Sequence, residues 1–161
     1  MVGRVQYILI AGVMFLISQM SLTVNSRILQ AKGLSTENES ILAATSFAQS
    51  FLREVAAKKF DERAIGKKVT SVDSLTAAVS FGPDYGEGYA TFDDIDDFNG
   101  YTRSISNDRL GDFNMAVVVN YVNKGSLETT SFVRTFMKSV TVTISGPYLP
   151  KNIVMKTVVA Y

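Results

Sequence analysis

The chain of 161 residues contains no cysteine, no histidine and no tryptophan, and only three prolines. Without cysteine there are no disulfides, no thiolate metal ligands and no cysteine nucleophile, so stability must come from packing or bound ions. Histidine is the side chain that titrates unaided near neutral pH and the usual base of hydrolytic triads, so its absence removes most familiar catalytic constellations. A carboxylate-only mechanism is the surviving enzymatic route. No other catalytic motif is visible, and the expectation is a protein that is not an enzyme. The first 36 residues also lack any acid, the earliest being Glu37.

That acid-free segment opens with one long apolar run, Tyr7 to Ile17, which continues more weakly to Val24 through Ser18, Gln19 and Ser21. About 18 residues of helix span roughly 27 Å, close to the roughly 30 Å hydrocarbon thickness of a bilayer. Three readings fit such a run. A cleaved secretory signal needs a small-residue cleavage site, and Ser18-Gln-Met-Ser-Leu22 is a poor one. A permanent anchor for an outside domain fits by length and hydropathy. The third is a helix that sits in a membrane before assembly and in the apolar core of a filament afterwards. Under either membrane reading Arg4 orients the N-terminus to the cytoplasm.

Downstream, Ile41, Ala44, Ala48, Phe51, Leu52 and Val55, with Phe47 alongside, recur at three- and four-residue spacing and predict an amphipathic helix. Arg53, Glu54, Lys58 and Lys59 fall largely on its other side. Lys32-Gly33-Leu34 is expected to interrupt the helix, with Gly33 as a hinge. Thr36-Glu37-Asn38-Glu39 has the pattern of a capping box that restarts it. Val69–Phe81 reads as a strand or irregular lead-in, and 82–88, with three glycines and a proline, as turn chemistry. Residues 114–122, 136–144 and 152–160 read as strands, the second with Val140, Val142 and Ile144 on one face and Thr141 and Thr143 on the other. Short connections favour an antiparallel meander with the amphipathic helix on one face. The fold class is therefore α+β, a long N-terminal apolar helix followed by a small antiparallel β-sheet domain. The helix is expected over 1–65, with a membrane or filament-core part at 5–24 and an amphipathic part at 36–60, and the β-rich domain over 66–161.

The net charge is only +1 but unevenly spread: residues 83–112 hold eight acids against Arg103 and Arg109, while 113–161 hold five basic residues against Glu128. Such a molecule can pair head to tail with its own copies, and no dense basic cluster suits nucleic acid. The acids concentrate in Phe92-Asp-Asp-Ile-Asp-Asp-Phe-Asn-Gly-Tyr101, with four aspartates in five residues. Two suppliers of compensation are open. One is a calcium ion on Asp94, Asp96, Asp97 and Asn99, although the Asn and Gly arrive one residue late for a calcium loop. The other is backbone amides with a nearby Arg103, which the spacing favours. Phe92, Phe98 and Tyr101 are expected to pin this loop to the domain.

The order of these features, from the apolar helix through residues 46–62 and the acidic motif to the strands containing Tyr121 and 136–144, resembles the type IV pilin-like proteins. It is most similar to minor pilins of the mannose-sensitive haemagglutinin pilus type. The resemblance implies a structural subunit of a type IV pilus-like extracellular filament or pseudopilus. Its partners would be copies of itself or other pilin-like subunits in a helical filament, and it would be inserted in the inner membrane before assembly. Ile10, Ala11, Gly12 and Phe15 would then make helix-to-helix contacts, with Ala11 and Gly12 permitting close approach. The pattern departs at the start: Gly3 is followed by Arg4, and Ile8 or Val5 stands where the family carries a glutamate. The alternative is a membrane-anchored monomeric surface binding or adhesion domain.

Overall fold

The computed structural model describes residues 2–64 and 68–161. A single helix, α1, runs over Val2–Ala56. Five strands follow: β1 (Thr102–Ile105), β2 (Phe113–Asn123), β3 (Ser126–Ser131), β4 (Met137–Ser145) and β5 (Ile153–Ala160). The architecture is the α+β one expected, a long N-terminal apolar helix and a small antiparallel sheet. Two compact units divide the chain, Met1–Glu39 and Ser40–Tyr161. The helical residues from Ser40 onward thus belong to the unit that holds the sheet. The expected domain limit at 65/66 lies outside the described residues.

The interruption expected at Lys32-Gly33-Leu34 is not seen, since these residues are α-helical. Thr36 is likewise inside the helix, and its hydroxyl donates back to the Lys32 carbonyl at 3.1 Å rather than capping a new N-terminus. One glycine costs only about 1 kcal/mol in a helix interior, too little to break a segment flanked by good helix formers.

All sheet pairings are antiparallel, in the order β1-β2-β4-β5 with β3 also paired to β2. The three strands read from the sequence form the expected meander. The register places Val117 opposite Val142 and Val119 opposite Val140. On the inner face Phe113, Met115, Val117, Val119 and Tyr121 of β2 are buried, as are Val140, Val142 and Ile144 of β4. They share one core with Ala44, Ala48, Phe51, Leu52 and Val55 of α1. The apolar stripe therefore does what its spacing predicts. The outer face of β2 stays exposed at Asn114, Ala116 and Val118. Residues 69–81 contain no strand but two short 3₁₀ turns, Val72–Ser74 and Ala78–Ser80.

Candidate functional site

The acidic motif folds around a 3₁₀ turn, Asp96–Phe98. Asp94 Oδ1 accepts from the amides of Asp96 (2.7 Å) and Asp97 (3.2 Å). Asp97 Oδ2 accepts from those of Asp93 (3.0 Å) and Asp94 (3.3 Å). Short acidic side chains close to their own amides favour such local bonding. The loop is tied to the segment after α1, where the Lys59 amide donates to the Asp93 carbonyl and the Ile95 amide to the Lys59 carbonyl. It is tied to β2 through Asn99, whose Oδ1 accepts from the Val119 amide at 3.0 Å while its Nδ2 donates to the Phe81 carbonyl at 3.3 Å. Gly100 takes φ +78°, a conformation that favours glycine, and its amide donates to the Val117 carbonyl. Phe92 and Phe98 are buried, and Tyr101 stacks parallel to the ring of Phe51, so these three aromatics pin the loop as expected.

The cation inside this region is Lys138 of β4, which is fully buried. Its ammonium group donates to the Phe60 carbonyl at 2.7 Å, Asp61 Oδ2 at 2.8 Å and Asp96 Oδ1 at 2.5 Å, so all three N–H bonds are used. The rings of Phe60, Phe81 and Tyr121 surround it with centroids 4.5, 5.0 and 5.4 Å away. Asp61 also accepts from the amides of Arg63 and Thr76 and from the Thr76 hydroxyl. Tyr121 donates to the Thr76 carbonyl at 2.7 Å, with Asp61 Oδ2 3.4 Å from its hydroxyl. One ammonium thus joins the end of the helical region, the acidic loop and the sheet.

Burial sets the electrostatics. Although burial by itself raises Asp61, the Lys138 hydrogen bond and charge, with Thr76, hold its carboxyl below the usual carboxylate range. Asp94 is pushed up to about 7 by burial and then by the Asp97 charge. Asp96 is also raised, its burial outweighing the attraction of Lys138. Asp97 is raised by burial. The Tyr121 hydroxyl is pushed far above its ordinary value by burial and by Asp61 and Asp96.

Asp94, Asp96 and Asp97 line one cleft of about 290 Å³ together with Glu62, Arg63, Thr76, Ser80, Gly82 and Asp84. The structure thus brings together three of the four residues expected as calcium ligands. Asn99 does not line this cleft, and its amide bonds the backbone at both ends. Arg103, expected to neutralise the loop, instead lies over the Tyr89 ring at 5.7 Å. Lys138 and Asp61 carry no motif, yet the sequence does hold a signal for the lysine. Lys138 sits in phase with Val140, Val142 and Ile144, and a lysine on the inward face of a strand calls for buried acids. A second grouping brings carboxylate oxygens of Glu87, Asp93 and Asp97 within 4.8 Å of one another.

In the N-terminal unit, Ile10, Ala11, Gly12 and Phe15 are exposed on α1. Ile10 and Phe15 are 58% and 63% exposed. The hydroxyls of Ser18 and Thr23 donate to the carbonyls of Met14 and Gln19, each at 2.9 Å. Two polar groups in the apolar segment are thereby satisfied within the helix. The helix is long and apolar enough to cross a membrane. Compared with protein-family models, curated proteins and solved structures, the chain gives no match.

Proposed function

We propose that this chain is a structural subunit of a type IV pilus-like extracellular filament or pseudopilus, without catalysis of its own. It would be inserted in a membrane first and then assemble with copies of itself or with similar subunits through packing of the apolar part of α1. The observation that carries this reading is the run of exposed large apolar residues from Tyr7 to Val24 on α1. Such a length of exposed apolar surface needs a nonaqueous environment, and both a bilayer and a bundle of like helices supply one. The internally bonded hydroxyls of Ser18 and Thr23 suit either environment.

Electron microscopy of sheared cell-surface material, labelled with an antibody to residues 68–161, tests the proposal. Label along fibres or at fibre tips is the expected result. Label confined to membrane fragments would instead favour the monomeric anchored surface domain.

A further inference from the structure

The buried part of the acidic region is unbalanced. Asp61, Asp94, Asp96 and Asp97 are buried, and Lys138 is the buried cation among the described residues. Hydrogen bonds account for one oxygen each of Asp94 and Asp96, and the second does not take part. Asp94 Oδ2 and Asp96 Oδ2 are both buried and have no hydrogen-bond partner among the described residues. Buried acceptors left this way are costly, more so when charged, and they call for an explanation. Both residues line the 290 Å³ cleft, where Glu62 and Asp84 stand exposed.

We infer that this cleft binds a hard divalent cation, calcium, with Asp94 Oδ2 and Asp96 Oδ2 as inner ligands and the Glu62 and Asp84 carboxylates closing over it. The chemistry of the lining selects the ligand class. It contains acids, hydroxyls and Arg63 but no aromatic or aliphatic wall, so an organic molecule with an apolar body finds nothing to lie on. With neither histidine nor cysteine in the chain, soft and borderline metals lose their preferred donors. Calcium accepts six to eight oxygens in adaptable geometry, which suits two buried inner oxygens, two exposed outer carboxylates, the Thr76 and Ser80 hydroxyls of the lining and water. Magnesium demands a near-ideal octahedron. Arg63, the one cationic residue of the lining, is exposed.

Calcium titration of the chelator-treated full chain in detergent, read by thermal melting and by tyrosine-sensitised terbium luminescence, tests the inference. The chain has no tryptophan, so the sensitised signal comes from tyrosine. Calcium at about a hundredfold excess over its dissociation constant should raise the melting temperature by at least about 5 °C. Sodium chloride at matched ionic strength should not. Asp94→Asn keeps an oxygen for the two amides and should weaken binding at least tenfold. Asp84→Asn changes an exposed residue outside the buried Lys138 network and should also weaken binding. Glu87→Gln should leave binding within about twofold. Two results overturn the inference. One is a melting temperature that responds equally to sodium and calcium, or to neither. The other is binding lost in Glu87→Gln but kept in Asp84→Asn, which moves the cation to the Glu87, Asp93 and Asp97 carboxylates.

Discussion

Lys138 and Asp61 meet 2.8 Å apart with both side chains fully buried, across 77 residues of sequence. A pair of this kind is weak evidence of net stability, because taking two charges out of water offsets most of their attraction. Removing one partner is another matter, since the other charge is then stranded.

Lys138→Met leaves Asp61 and Asp96 without their cation while keeping most of the side-chain volume. The expected loss is about 3–5 kcal/mol in urea unfolding at neutral pH. Adding Asp96→Asn to that variant removes the cost of burying or protonating a carboxyl without its cation and should recover part of the loss. A double variant no more stable than Lys138→Met alone would show that Asp96 does not depend on the ammonium.

The raised carboxyls predict how stability varies with pH in chelator-containing buffer. Asp94, up at about 7, and Asp96, also raised, hold protons in the native state at pH values where the unfolded chain has released them. The native state therefore binds more protons, and stability should fall as pH rises from about 5 to 8. Asp61 works oppositely. Its carboxyl is lowered, so its contribution is present above the ordinary carboxylate value and is lost as pH falls through its native value. Melting curves should place maximal stability in weakly acidic buffer. A melting temperature rising steadily from pH 5 to 8 would contradict the burial of Asp94 and Asp96.

Assembly should fail when a charge enters the apolar segment. Ile10→Asp or Phe15→Asp places a carboxylate where the proposal requires packing against lipid or another helix, at a cost of several kcal/mol if unpaired. Normal fibres from either variant, seen by microscopy of sheared material, would remove the assembly role from this surface.

Gly33→Ala separates a continuous helix from a hinged one. A methyl group at Gly33 meets nothing within 4 Å, and the backbone there is already helical. Helicity by circular dichroism should rise and the helix gain about 1 kcal/mol. Fibres should form normally if assembly uses the unbroken helix. If subunits must bend at residue 33, the substitution should instead reduce fibre yield.

What was legible in the sequence follows from what periodicity records. The stripe from Ala44 to Val55 and the strands β2, β4 and β5 each repeat an apolar face, and the core has them where the spacing places them. β1 and β3 carry almost no such signal, being short and exposed along nearly their whole length. Pairing with β2 makes them strands, and that pairing is a tertiary fact. Gly33 does not interrupt α1 because a local propensity of about 1 kcal/mol is small against a cooperative helix. The four aspartates announced that compensation was needed but not its source. Lys138 lies 41 residues beyond Asp97 in sequence, and only the fold brings its ammonium to the acidic loop.

The division of α1 between two units bears on how the helix comes to exist at all. Starting a helix fixes several residues for a single hydrogen bond, whereas each further residue adds one bond of its own. Residues from Ser40 to Ala56 are held helical by the core of the globular unit. They act as a seed, and the preceding residues need only propagate from it. A peptide of residues 1–39 in water should accordingly lose much of the helicity it has when attached, and regain it when a bilayer or a neighbouring helix replaces the seed.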